Sequence, residues 1–201
     1  AAVCSDSYVV ASAVIEETGK AYHAVVCVGS EGVIACQPQL HRSARLAWSS
    51  LGDDFITVDL PFGRLGLVAG TDSIYPEVFR MLAIAGAEVV AVPFAAQEVW
   101  ELKTGLVERA AENRLNLVVA TQPSALGCSF ANKLHRDFTV MTPWQERAFD
   151  GNLTYPLITR AGTGAGITLA ELTPFNARDK IVSLGTDVVR GRPWRVAGAI
   201  T

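Results

Sequence analysis

The sequence is poor in histidine and has no paired cysteine motif, and both shortages limit the chemistry open to it. Its three histidines are His23, His41 and His135, and its four cysteines show no Cys-x-x-Cys spacing. Zinc sites draw on closely spaced Cys and His ligands, so we predict no metal site and no other cofactor. Scattered cysteines are typical of free, buried thiols in a reducing compartment, which favours a cytoplasmic protein.

The sequence also lacks an excess of charge of either sign and any long apolar run. Its formal net charge is −3, with 18% charged residues, so binding to nucleic acid or to an anionic membrane is not predicted. No apolar run approaches the roughly 18 residues that span a bilayer, and no segment resembles a signal peptide. Because 50% of its 201 residues are hydrophobic, the chain is predicted to form one globular domain over residues 1–201.

Short apolar runs alternate with amphipathic stretches along the chain. Strands are predicted at residues 7–17, 21–29, 33–35, 55–60, 64–69, 87–92, 115–120, 138–141, 157–160 and 165–172. Helices are predicted at residues 76–85, 98–113 and 174–180, a long loop at 37–54 and an irregular tail from 183. Hairpins mixed with strand–helix–strand units predict an α/β fold with a mixed sheet packed on helices.

The most informative segment is the turn that follows the strand at residues 64–69. A buried strand passes there through a sharp bend directly into a helix begun by Pro76. A side chain at such an elbow lies near a helix N-terminus, where the dipole favours negative charge and lowers the pKa of a thiol. That position would suit a thiolate nucleophile, but the residue is Gly70. Glycine tolerates the backbone of a tight elbow and supplies no nucleophile.

This elbow resembles that of the nitrilase superfamily of carbon–nitrogen hydrolases, roughly G-R-I-G-x-x-I-C-Y-D-x-x-F-P-E. The matching residues are Gly63, Arg64, Gly66, Asp72, Pro76 and Glu77, with Tyr75 at the Phe position. Other family motifs follow in the expected order: a Y-N-x-A hairpin return at residues 20–24, a G-A-E-V strand at 86–93 and an R-A-x-E-N helix end at 109–113. The ordered agreement runs from about Tyr8 to Arg195.

The resemblance implies a nitrilase-like α-β-β-α sandwich with mixed sheets, of which this chain resembles the C-terminal two-thirds. We therefore expect the N-terminal part of the family domain to be lacking, including strands that flank the central sheet. The family uses a Cys nucleophile, a Glu base and a Lys that stabilises the tetrahedral intermediate. Gly70 stands at the nucleophile position and Gln39 at the lysine position, and the segment with the base precedes the first strand seen here. Catalytic residues are thus expected not to be retained.

Other residues near the motif have two interpretations each. Glu101, in a Trp-Glu pair, matches a second family glutamate. A count back from residues 112–113 without gaps instead puts Lys103 at that position, and Glu101 would then be a solvated helix charge. His41 matches a family position near the site or bonds a backbone group. Thr71 could act as a nucleophile only with a base that the sequence does not reveal. Asp72 and Tyr75 are predicted to shape the elbow and its pocket.

Three hypotheses about function follow from these residues. The first is an inactive pseudoenzyme, a scaffold or a domain that binds a small amide-like ligand. The second is an amidase- or nitrilase-type hydrolase whose site is rebuilt or completed by another chain. The third is one piece of a longer or split protein. We expect a homo-oligomer or a complementary chain that covers the missing N-terminal side, and the tail at 190–200, with Trp194, would suit an intersubunit contact.

Overall fold

Two β-sheets of unequal width form the framework of the computed structural model, which describes residues 7–134, 158–182 and 185–197. The strands are β1 (Val9–Glu17), β2 (Lys20–Gly29), β3 (Gly32–Pro38), β4 (Thr57–Leu60), β5 (Gly63–Leu67), β6 (Val89–Pro93), β7 (Asn116–Ala120), β8 (Phe130–Asn132), β9 (Ile158–Arg160), β10 (Ile181–Val182) and β11 (Thr186–Asp187). The helices are α1 (Pro76–Ile84), α2 (Leu106–Asn113) and α3 (Trp194–Ala197), with 3-10 turns at Ala44–Leu46, Gly70–Ile74 and Pro174–Arg178 and a π-helical segment at Glu101–Gly105.

The narrow sheet is three-stranded, in the order β1-β2-β3. β1 and β2 form an antiparallel hairpin whose turn residues, Thr18 and Gly19, have φ of 51° and 75°. A two-residue turn with both φ values positive matches the right-handed twist of the paired strands. β3 pairs antiparallel with β2 and continues to Pro38, beyond the predicted residues 33–35, so part of the predicted loop is strand.

The wide sheet is six-stranded and mixed, in the order β4-β5-β6-β7-β8-β9. β5, β6 and β7 are parallel, and α1 and α2 lie in the two connections between them. β4, β8 and β9 pair antiparallel at the edges. The central strand β6 is buried along its whole length, as its unbroken apolar sequence predicts for a strand covered on both faces.

The two faces of the wide sheet are covered by different layers. On one face, Phe79 and Leu82 of α1 and Leu106 of α2 form a core with sheet residues such as Val90. On the other face, Val25 and Cys27 of the narrow sheet pack on β5 and β6. The described layers are therefore helices, wide sheet and narrow sheet, and the predicted mixed α/β fold is confirmed.

The narrow sheet covers only half of the wide one. Its edge strand β1 lies over β6, where the Ser12 hydroxyl donates to the Pro93 carbonyl at 3.1 Å. β7, β8 and β9 extend beyond this edge. Val118 of β7 is 36% exposed, whereas Ala91, its neighbour on β6, is buried. Among the described residues β1 has no strand on its outer side, so the space between the sheets is open along β1.

The predicted strand at residues 165–172 is wrong. This segment has no regular structure, and Ile167 and Leu169 are 92% and 88% exposed. Glycines at 162, 164 and 166 weaken any strand there, and no described strand pairs with it. The prediction of an irregular tail is also wrong in part, because β11 pairs with β10 and α3 follows. The strand predicted at 138–141 lies outside the described residues.

Three cysteines of the described part, Cys27, Cys36 and Cys128, are free thiols, as predicted, but of these Cys27 is buried and the other two are half-buried. Burial raises the pKa of Cys27 and of Cys36, which disfavours the thiolate at both positions. Within the described ranges the helices are too short or too polar to cross a membrane.

Buried polar side chains join the segment that follows residue 172 to the N-terminal ends of β6 and β7 in the wide sheet. The Asn116 amide donates to the carbonyls of Glu88 and Thr173 at 3.0 Å each and accepts from the Leu134 and Thr173 N–H groups at 3.0 and 3.2 Å. The Lys180 ammonium donates to the carbonyls of Asn113 and Arg114. Burial lowers the pKa of Lys180 to about 8.

Replacing Asn116 with Ala is expected to lower the free energy of unfolding by about 2–4 kcal/mol, because it leaves the N–H groups of Leu134 and Thr173 without an acceptor and removes one of two donors from the Glu88 and Thr173 carbonyls. Asn176→Ala is the matched control, since that amide makes one hydrogen bond, to the Leu134 carbonyl, and its loss is expected to cost about 1 kcal/mol. Urea unfolding followed by circular dichroism measures both. Equal losses in the two variants would contradict the bridging role of Asn116.

The lowered pKa of Lys180 predicts a pH dependence of stability. Between pH 8 and 10.5 the unfolded chain binds a proton at this amine that the folded chain has released, so this group makes stability rise with pH. Wild type is expected to gain up to about 3 kcal/mol relative to Lys180→Met across this window. Unfolding free energies measured below pH 8 and near pH 10.5 test this, with Lys103→Met, at an exposed position, as the control. A difference between wild type and Lys180→Met that stays constant with pH would contradict it.

Candidate functional site

The elbow after β5 has the geometry that its sequence predicts. Val68 and Ala69 continue the buried strand, a 3-10 turn begins at Gly70, and α1 begins at Pro76. Gly70 has φ of +49°, in the left-handed region that glycine enters most readily. The position that carries the nucleophile in the resembled family therefore lies at a strand-to-helix turn, as expected.

The space beside Gly70 is already filled. A Cβ atom at this position would lie 2.6 Å from Oε1 of Gln39 and 2.8 Å from Cε1 of His23. Both distances are shorter than van der Waals contact, so any side chain here would displace these two groups. Gly70 thus lies at a tightly packed contact between residues of β2, the chain after β3 and the elbow.

Gln39 is buried and bonded at both ends of its amide. Its Nε2 donates to the His41 carbonyl at 2.6 Å, and its Oε1 lies 3.0 Å from Nδ1 of His23. Its backbone N–H donates to the His23 carbonyl at 2.9 Å, which extends the pairing of β2 and β3 to this point. Gln39 therefore fixes a neighbouring imidazole and carries no charge of its own.

Asp72 joins the elbow to the loop that contains Gln39. Its buried carboxylate accepts the N–H groups of Leu40 and His41 at 2.9 and 2.8 Å and lies 2.9 Å from Nδ1 of His41. Burial raises the pKa of Asp72, and these hydrogen bonds oppose the rise. The His41 ring also stacks on Tyr75, with centroids 3.7 Å apart. His41 is therefore held in a structural position by a carboxylate and not by the predicted backbone group, and the geometry favours the predicted shaping role of Asp72 and Tyr75.

Glu101 lies in the π-helical segment and is buried, so its interpretation as a solvated helix charge is wrong. Its Oε2 accepts the backbone N–H groups of Gln97 and Glu98 at 2.6 and 3.0 Å. Glu101 lines the same cleft as Gly70, whereas Lys103 is exposed. Of the two positions that the sequence leaves open for the second family glutamate, Glu101 is the one in the cleft wall.

A cleft of about 850 Å³ opens between the two sheets beside the elbow. Its polar lining comes from separate elements and includes Ser12, His23, Arg45, Thr71, Glu101 and Ser129. This volume is within the range of pockets that hold small molecules. In the described ranges no three His, Cys, Asp or Glu side chains cluster as a metal site would require.

The sequence predictions missed His23 and Ser12 as cleft residues. His23 lies in the segment at residues 20–24 that resembles the Y-N-x-A hairpin return, and that resemblance assigned it no role. Ser12 lies on an alternating strand with no motif of its own. The predicted candidates Gly70, Thr71 and Glu101 line the cleft, whereas Asp72, His41 and Tyr75 form the contact behind the elbow.

Curated relatives share sequence with part of this chain. It is 28% identical over 119 residues to a deaminated glutathione amidase of Synechocystis, an alignment of 56% of this chain and 38% of that protein. It is 34% identical over 83 residues to a deaminated glutathione amidase of Yersinia enterocolitica, or 39% of this chain and 28% of that protein. The alignments with these relatives thus span less than two fifths of their length. No family model matches the chain.

Solved structures share the fold. An amidase from Nesterenkonia superposes with a TM-score of 0.56 at 23% identity, covering 63% of this chain and 53% of that one. A carbon–nitrogen hydrolase from Helicobacter pylori gives 0.54 at 20% identity, covering 63% and 55%. The resemblance to the nitrilase superfamily is therefore confirmed, and the fold of this chain is that of its carbon–nitrogen hydrolases.

Gly70→Ala is expected to lower the free energy of unfolding by about 2–4 kcal/mol, because it combines a left-handed backbone with the close contacts to Gln39 and His23. The matched control is Gly19→Ala, which has φ of +75° and nothing within 4 Å of the new Cβ, so only backbone strain of about 1–2 kcal/mol is expected. The cost of Gly70→Ala should shrink by about 1 kcal/mol in a Gln39→Ala background. Thermal and urea unfolding of the two single variants and the double variant measure this double-mutant cycle. If the two losses of stability add exactly, the contact between positions 70 and 39 is contradicted.

Proposed function

We propose that this chain is a pseudoenzyme domain that binds a small amide-like molecule in the cleft without forming a covalent intermediate. The observation that carries the proposal is Gly70, whose side-chain space is taken by Gln39 and His23. Covalent cleavage of an amide by the family's route begins with attack by a side chain at this position. Loss of such a nucleophile lowers kcat by a factor on the order of 10⁶.

The cleft itself supports a binding role. It has room for a small molecule, and its hydroxyl groups and the buried carboxylate of Glu101 are groups that a polar ligand could contact. Small-molecule pockets combine such a cavity with a few polar groups that fix the orientation of the ligand. An amide-like ligand is favoured because the relatives of known structure or sequence are amidases by name.

A second candidate function is amide hydrolysis in a site completed by another chain. The observation that favours it is the open side of the cleft along β1, beside the exposed Val118. A strand-bearing complementary chain could pair with β1, cover β7 and β8 and add groups to the cleft. Unpaired strand edges are common sites of such β-addition.

A second copy of this chain is not expected to pair with the unpaired edge of β1. Antiparallel pairing of β1 with its copy requires a two-fold axis normal to the narrow sheet. Both wide sheets would then lie on the same side, and β7–β9 of one copy would overlap β4–β6 of the other. A homo-oligomer would have to use another surface, such as α3 with the exposed Trp194.

Titration of the protein with butyramide is expected to shift the amide resonances of cleft residues, with no release of ammonia and no change in intact mass. Thr71→Phe, which narrows the cleft, should weaken binding about tenfold or more, since a new ring overlaps the ligand volume. Thr104→Phe, at an exposed position, is the control and should leave binding unchanged. Ammonia release at a steady rate by wild type, abolished in Thr71→Phe, would contradict the pseudoenzyme and favour hydrolysis.

A further inference from the structure

Three residues from separate segments that resemble family motifs meet at one point in the structure. They are His23 of the hairpin return, Gln39 of the loop after β3 and Gly70 of the elbow. His23 and Gln39 bond each other, and both lie within 2.8 Å of the Cβ position that Gly70 leaves empty. The three residues are far apart in sequence and form one packed contact, so a change at one of them affects the other two.

The hydrogen bonds of Gln39 determine which nitrogen of His23 carries the proton. The His41 carbonyl can only accept, so the amide atom 2.6 Å from it is the NH₂ group of Gln39. The other amide atom is then the oxygen, which also can only accept. It lies 3.0 Å from Nδ1 of His23, so Nδ1 must be the donor.

This tautomer leaves the second ring nitrogen of His23 as an acceptor. In a neutral imidazole with a proton on Nδ1, the Nε2 atom has a free lone pair. Nε2 has no hydrogen-bond partner in the described part of the chain, and His23 lines the cleft. Gly70 allows the arrangement, because a side chain there would collide with Cε1, the atom between the two ring nitrogens.

We infer that Nε2 of His23 is the group that recognises an N–H of the ligand, so that the cleft selects primary or secondary amides over tertiary ones. Gln39 acts as a positioning residue, because it holds the ring and its tautomer without touching the ligand. This inference rests on the ligand-binding function proposed above and specifies its chemistry. It also explains why Gln39, whose amide can both donate and accept a hydrogen bond, stands where the resembled family has a lysine.

The tautomer can be observed directly. Long-range ¹H–¹⁵N spectra of the imidazole groups, recorded at alkaline pH where His side chains are neutral, should show His23 protonated on Nδ1 alone. Gln39→Met removes the acceptor and is expected to shift His23 toward the Nε2-protonated form. Gln37→Met is the matched control, since Gln37 is equally buried and bonds Pro38, Asp54 and Ile56 instead. A wild-type His23 protonated on Nε2 would overturn the inference.

Ligand selectivity tests the recognition step. Wild type is expected to bind N-methylbutyramide about tenfold more tightly than N,N-dimethylbutyramide, the difference that one hydrogen bond provides. Gln39→Met and His23→Phe should lose this ratio, and Gln37→Met should keep it. Equal binding of both amides by wild type would overturn the role of His23 and leave the binding function standing. Binding of neither amide would overturn both.

Discussion

The buried carboxylate of Asp72 is the interaction on which the site depends. It holds two consecutive backbone N–H groups of the loop after β3, at Leu40 and His41, and it belongs to the turn that begins at Gly70. Because it joins these two segments, Gln39 is held beside the elbow and beside His23. A carboxylate removed from water must be compensated by several donors, and this requirement fixes the geometry of the loop. The packed contact at Gly70 is therefore a consequence of a polar bond buried behind it.

The fold was largely predictable because its strands and helices follow simple periodicities. Buried parallel strands such as β6 are unbroken apolar runs, and α1 is delimited by Pro76 and Gly86. The prediction failed at residues 165–172, where an apolar pattern exists without a neighbouring strand to pair with. Strand formation depends on a partner that is distant in sequence, and a local pattern carries no information about it.

The site was predictable in its residues but not in its contacts. The motifs identify Gly70 and Gln39 as departures from the family, since each stands in a recognisable segment. They do not reveal that His23 lies against both, because the contact joins a strand, a loop and a turn. Likewise, the sequence left the second family glutamate open between Glu101 and Lys103, and it did not reveal that Glu101 is buried in the cleft wall. Sequence identity of 28–34% to parts of amidases reflects a shared arrangement of strands and helices. It does not reveal which side chains of the site contact one another.

The π-helical segment at Glu101–Gly105 changes the phase of the helix that continues into α2. A π-helical turn holds more residues than an α-helical one, and it lets a helix absorb an inserted residue while both of its ends stay in place. Such an insertion produces no loop and leaves the apolar positions of α2 on their usual face. In this protein, residues upstream of Leu106 are therefore out of phase with the α-helical positions downstream. A count of 3.6 residues per turn back from Asn113 does not give the direction in which the Glu101 side chain points.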